Sequence, residues 1–283
     1  MAIFSIEDAL KAVEQNPEEL SRLPKEFITP EICLLAVLGH GAAFKHVPEK
    51  FKTLALCLVA VQKARNVLPH VPEAFKTPEI CLVAVYKFPS EFRYVPEGLK
   101  TPTLCRMAVR GNALTLDFVP EALKTPELCL VAVQKDGLTL AYVPEAFKTP
   151  ELCLIAVQNS GWALKYVPDP LKTLELCRVA VLNDGRALTY VPETHKTSEI
   201  CLAAVLHAGR TLECVPDQHK TLEICLAAVE NFKWALEYVP GELKASCIRH
   251  VQRKETLYER FQNFFRGRRP GNGEVKPVQE YSE

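Results

Sequence analysis

A Val-Pro pair returns every 24 residues along this chain, at Val47-Pro48, Val71-Pro72, Val95-Pro96, Val119-Pro120, Val143-Pro144, Val167-Pro168, Val191-Pro192, Val215-Pro216 and Val239-Pro240, and Leu23-Pro24 fits the same frame. A cysteine keeps the same step from Cys33 to Cys225, and four residues after each cysteine stands a valine preceded by an alanine. No insertion or deletion breaks the register, so residues 5–244 divide into ten units of 24. Such a period leaves few folds open. Each unit is one supersecondary piece too small to bury its own apolar face, so the pieces must stack and close a shared core between neighbours.

The unit Thr125–Lys148, T-P-E-L-C-L-V-A-V-Q-K-D-G-L-T-L-A-Y-V-P-E-A-F-K, reads as helices. Thr125 suits an N-cap, Pro126 the first helical position, and Glu127 the positive end of the helix dipole. Gly137 is expected to end this helix in the left-handed conformation. A second helical segment then carries Leu138, Leu140, Ala141 and Tyr142, and Pro144 stops it because the residue before a proline avoids the α region. The competing fold is a leucine-rich-repeat-like α/β solenoid, which also runs to about 24 residues per unit and would make L-C-L-V-A-V a strand. That fold needs an Asn or Cys ladder after its strand. Here positions 40, 64, 88, 112, 136, 160, 184, 208 and 232 are His, Ala, Phe, Asn, Asp, Ser, Asp, Ala and Phe. The alanine before each valine also suits close helix packing.

The sequence therefore predicts an all-α fold, a right-handed α-solenoid of ten 24-residue repeats. Residues 1–28 make an N-terminal capping repeat, with Ala9 in the cysteine position and Ser5 and Asp8 spaced as a capping box. Residues 29–244 make nine further repeats. Residues 245–266 form a C-terminal capping helix, with Ile248, Val251, Leu257, Phe261 and Phe264 at helical spacing. Residues 267–283, rich in Gly, Pro and charge, are expected to be a disordered tail.

Lys plus Arg equals Asp plus Glu at 34 each, so no global field steers the chain toward nucleic acid or an anionic membrane. No run of eighteen apolar residues is present to span a bilayer. The opening Met1-Ala2-Ile3-Phe4-Ser5-Ile6-Glu7-Asp8 lacks the basic and apolar regions of a secretory signal, which points to the cytoplasm.

Units such as A-L-K-Y-V-P-D-P-L-K-T-L-E-L-C-R-V-A-V-L-N-D-G, Ala163 to Gly185, resemble a tandem helical repeat family of unknown function found in bacteria, whose pattern runs A-L-x-Y-A-S-x-E-L-K and then V-L-x-A-V-x-x-N-G. The resemblance covers the repeat array and departs from the pattern in its Val-Pro pair and its regular cysteine. It implies the helical fold. The family often occurs in proteins of intracellular bacteria, including suspected secreted effectors, which makes a host cytosol a second expected location. It carries no catalytic residues to this chain.

The residues that could carry chemistry are mostly ladders. Packed helices lie about 8–10 Å apart, whereas a disulfide needs Cα atoms about 4.4–6.8 Å apart, so the nine regular cysteines read as buried free thiols in a reducing compartment. They lack the spacing of a metal site, and no metal or cofactor is expected. His195 and His219 share one repeat position; they would suit a metal or a pH response, or simply mark a more polar end of the array. Glu49, Glu73, Glu97, Glu121, Glu145, Asp169, Glu193 and Asp217 each precede a lysine by three residues, which predicts weak ion pairs on a solvated edge. No nucleophile elbow, P-loop, zinc-protease helix or dinucleotide fingerprint occurs, and the chain is not expected to be an enzyme.

In a repeat protein the frame is structural, so a partner must be read where units differ. The variable stretch follows the Ala-Val pair and is expected to form loops along one edge of the stack. Its most unusual version is Tyr86-Lys87-Phe88-Pro89-Ser90-Glu91-Phe92-Arg93, and Arg106 and Arg178 replace a helix leucine. Aromatic and arginine side chains are common interface anchors. The expectation is a monomeric, non-enzymatic protein–protein interaction scaffold, an effector or adaptor, with Tyr86, Phe88, Phe92, Arg93, Arg106 and Arg110 at the partner surface. The alternative, a nucleic-acid-binding helical repeat, needs basic residues on one face, and the acidic ladder beside the lysines weakens that field.

Overall fold

The computed structural model describes residues 5–267, with side chains described to residue 254. Residues 268–283, the greater part of the expected tail, lie outside the described residues. The α-helices are α1 (Ile6–Gln15), α2 (Pro30–Gly39), α3 (Leu54–Lys63), α4 (Pro78–Lys87), α5 (Pro102–Gly111), α6 (Pro126–Lys135), α7 (Pro150–Asn159), α8 (Leu174–Asn183), α9 (Ser198–His207), α10 (Leu222–Asn231) and α11 (Gly241–Gly267). Among the described residues there is no strand, which removes the leucine-rich-repeat-like alternative. The chain forms two compact units, up to Tyr190 and from Val191 onward, and each is an all-α stack of helical repeats, a solenoid fold.

One repeat, Thr125 to Lys148, shows how the sequence makes this element. The Thr125 hydroxyl accepts the Leu128 N–H at 3.3 Å, with Pro126 at the first position of α6. A ten-residue helix is marginal alone, so its stability comes from the face that Leu128, Cys129, Ala132 and Val133 bury against neighbours. After α6 the backbone turns through one extended residue, Asp136, and continues as a six-residue 3-10 helix, Gly137–Tyr142, then a three-residue one, Glu145–Phe147. The second segment is thus a tight 3-10 helix that buries Thr139 and Leu140.

The expected role of Gly137 is corrected. Among the described residues no glycine has positive φ. Gly137 opens the 3-10 helix, and a Cβ there would fall inside the Ala156 carbonyl oxygen of the next helix. Gly161 and Gly209 meet the Ala180 and Ala228 carbonyls in the same way. The glycine is required by close approach, not by a left-handed turn.

Two ladders that staple neighbouring repeats complete the frame. Asn183 ends α8, accepts the Gly161 N–H at 2.7 Å and donates to the Gln158 carbonyl at 2.9 Å. Asn159 does the same to Gly137 and Gln134, and Asn231 to Gly209 and Leu206. The lysines that follow Val-Pro also reach across: Lys52 Nζ donates to the His70 carbonyl at 2.8 Å and Lys100 Nζ to that of Phe118 at 2.8 Å. Each also pairs with its acidic neighbour, Glu49 and Glu97. The solvated-edge reading therefore holds for the carboxylates only, because the lysine side chains are buried along the stack.

At the start, Ala9 is fully buried in the cysteine slot, and the Ser5 hydroxyl accepts the Asp8 N–H at 3.1 Å. The final helix α11 begins at Gly241, earlier than the expected 245, because it absorbs the last short segment of the tenth unit. It buries Cys247 and packs on α10, with His250 and Lys254 meeting Glu230. The side chains of Leu257, Phe261 and Phe264 lie outside the described residues.

Candidate interaction surface

The outward face of the α-helices is built by repeat positions that face away from the Cys-Ala-Val core. It exposes Leu34, Leu82 and Leu154 in one row and Leu38 and Tyr86 in another. Arg106 falls in the leucine row and Arg110 in the Tyr86 row, one turn apart on α5. The variable stretch is therefore not a set of loops: Tyr86 and Arg110 sit in the last turn of α4 and α5.

The six expected partner residues do not form one cluster. Tyr86 is 70% exposed, and Arg106 and Arg110 are exposed on the next helix. Phe88 is half-buried beneath the Arg65 guanidinium, 5.8 Å from its ring centre. Arg93 leaves α4 altogether and lies over the rings of Tyr94 and Phe118 on the 3-10 side. Phe92 must be withdrawn from the surface. It is 0% exposed, because it occupies the core slot held by Leu116 and Leu140 in later repeats.

Between α5 and α6 lies a groove of about 430 Å³, lined by Pro102, Arg106 and Arg110 on one side and Leu123, Thr125, Glu127, Leu128 and Val131 on the other. The equivalent groove between α7 and α8 has Leu154 in place of Arg106 and a volume of about 210 Å³. Glu127 is engaged at its own helix start, where its backbone N–H and the Thr125 hydroxyl hold its carboxyl below the usual range. At the end of α5, Lys135 Nζ donates to the Arg110 carbonyl and so brings a third cation to this end of the groove.

Sequence reading missed two residues here. Thr103 replaces the glutamate that stands near the start of most of these helices, as at Glu79, Glu127 and Glu175. Glu91 lies in a slot filled by Glu19 in the first unit and by Ala, Val or Thr in the other eight, and is buried at 1% exposure. Both signals were present as departures from the unit's own pattern.

The other candidate chemistry resolves into structure. Burial pushes the Cys129 and Cys153 thiols up to about 11, and the ladder cysteines are buried and free. His219 Nδ1 meets the Ser198 hydroxyl at 3.0 Å, and among the described residues no group of three His, Cys, Asp or Glu is placed to hold a metal. Among them, too, no helix is long and apolar enough to cross a membrane.

These features define a helical-repeat protein. Residues 125–172, 149–196 and 197–244 each match the model of a family described as a domain of unknown function (DUF4116), and each match covers two consecutive units. This part of the chain is thus similar to a repeat family without an assigned activity, while α4 and α5 lie outside the matched stretch. No curated protein and no solved structure matches the chain.

Proposed function

We propose that this chain is a non-enzymatic scaffold that binds a partner protein across the outward faces of α4, α5 and α6. The observation that carries the reading is the exposed Tyr86 beside the Arg106–Arg110 face, where the repeat departs furthest from its own pattern. Aromatic and arginine side chains that serve no intramolecular packing are the types that anchor interfaces. The lysine ladder, which a nucleic-acid reading would need as a regular cation row, is spent on the stack itself, so protein is the favoured partner. Unpaired buried thiols suit a reducing cytosol, bacterial or that of a host cell receiving an effector. The chain works as a monomer in this reading.

The test is co-precipitation from cell extract with the wild-type chain and with a Tyr86→Ala, Phe88→Ala, Arg106→Ala variant of unchanged helical circular dichroism. Loss of a specific partner from the variant supports the reading. Identical capture by both overturns it.

A further inference from the structure

Arg178 and Arg106 hold the same position of the repeat, three units apart, and only Arg178 has a carboxylate on its own helix. Arg178 makes a two-pronged pair with Glu175, at 3.1 and 3.0 Å. The residue at the Glu175 position in α5 is Thr103, which offers no charge. Among the described residues no carboxylate pairs with Arg106 or Arg110. Two like charges one turn apart repel and weaken the helix slightly, and Lys135 adds to them at the same end. The opposite wall of the groove offers Leu123, Leu128 and Val131 as apolar surface beside Thr125 and Glu127.

Resting on the protein-binding reading above, we infer that the α5/α6 groove takes an acidic peptide segment, with an apolar side chain against Leu123, Leu128 and Val131 and carboxylates on Arg106 and Arg110. Guanidinium groups bind carboxylates through paired, charge-assisted hydrogen bonds, strongest beside apolar surface that excludes water. Charge and shape agree on this occupant. The groove is twice the volume of its α7/α8 counterpart, which carries no arginine, and Glu127 is already engaged at its own helix end. Nucleic acid fits less well: the wall offers no aromatic ring for a base to stack on, and the cations do not recur from repeat to repeat as a phosphate track requires.

The decisive variant is Thr103→Glu, which rebuilds on α5 the pair that Arg178 makes on α8 and neutralises Arg106 without removing it. The full chain is used to select binders from a displayed library of random 12-residue peptides, and enriched peptides are titrated by fluorescence anisotropy against wild type, Thr103→Glu and Arg106→Gln/Arg110→Gln. The expected result is enrichment of Asp- or Glu-containing sequences with an apolar residue, bound about tenfold or more weakly by both variants. Failure to enrich acidic peptides, or acidic binders indifferent to Thr103→Glu, overturns the inference. So does a labelled 20-nucleotide single-stranded RNA that binds in place of peptide and is lost in the same variants. The two readings fail separately: a partner lost from the triple alanine variant but retained by Thr103→Glu leaves the scaffold standing and removes the acidic groove.

Discussion

Glu91 caps the repeat before its own: Oε1 accepts the Asn66 N–H at 2.6 Å, and Oε2 accepts those of Val67 and Leu68 at 3.2 and 3.1 Å. Pro69, which lacks an N–H, stands inside the segment that this cap holds. The 3-10 helix there shrinks to Leu68–His70, and Asn66 turns to φ 58°, a left-handed position that asparagine tolerates. The Val67 and Leu68 amides are buried and must be paired. Glu91→Thr installs the residue that this slot holds in three other repeats yet is expected to cost about 2–4 kcal/mol, because those amides lose their acceptor. Adding Asn66→Leu and Pro69→Ala should return much of that loss. Urea denaturation of the single, double and triple variants measures this coupling, with amide exchange at Asn66 to Leu68 as the local readout.

Glycines in this fold divide by what surrounds them. Gly137→Ala drives a methyl into the Ala156 carbonyl and is expected to destabilise by about 2 kcal/mol or more. Gly98→Ala meets nothing within 4 Å and has no positive φ, so it should be neutral or stabilise by about 0.5 kcal/mol. A pair of thermal melts decides the point. If both substitutions destabilise equally, close approach is not what the glycine serves.

The lysine ladder is asymmetric in the same testable way. Lys100 is 5% exposed, lies over the Phe92 ring and donates to the next repeat, whereas Glu97 is 73% exposed. Glu97→Gln should change stability little, since exposed pairs contribute little. Lys100→Ala should cost about 1–3 kcal/mol, because it removes the packed stem and leaves the Phe118 carbonyl without its donor. Denaturant midpoints of the two variants should therefore differ clearly.

The period, the N-caps and the buried faces were legible because each rests on local chemistry that recurs: Thr125 before Pro126, Cys129 four residues before Val133. What escaped was the geometry between units. A 3-10 helix at Gly137–Tyr142 differs from an α-helix by one hydrogen-bond step, and no residue pattern in a six-residue run separates the two. The Asn159, Asn183 and Asn231 staples looked like ordinary variable positions, since their partners lie a repeat away in the backbone. At the surface, Tyr86, Arg106 and Arg110 were found as breaks in the pattern. Phe92 was misplaced because a larger residue in a core slot looks, in sequence, like an added anchor.

The thiols give a chemical check of the stack. Ten of the eleven cysteines are buried, and burial holds ladder members such as Cys57 and Cys177 at about 11, so little thiolate forms near neutrality. Cys214, half-buried at the usual tyrosine position, is the accessible one. A thiol reagent at pH 8 should label Cys214 first and the ladder only as fast as the repeats open. Fast labelling of several ladder cysteines in the folded chain would contradict the packing described.

Acid should loosen one particular junction. Asp184 accepts Trp162 Nε1–H at 2.9 Å and holds Arg186 through two side-chain bonds, while Arg186 lies over the Trp162 ring and Trp162 meets Tyr190 edge-on. Hydrogen bonding from Arg186, chiefly, lowers the Asp184 carboxyl to about 2, against about 3.9 in an unfolded chain. A depressed carboxylate contributes stability that is complete above the unfolded value and is lost as pH falls toward the folded one. The contribution is therefore full at pH 7, declines from about pH 4 and is gone near pH 2. Because Arg186 is largely exposed, solvent screening reduces the contribution to about 1–2 kcal/mol. Asp184→Asn should be less stable than wild type by that amount at pH 7, and the gap should close as the pH approaches 2. The Trp162 indole N–H resonance, followed through the titration, should shift with the same midpoint near 2 in wild type and stay flat in the variant.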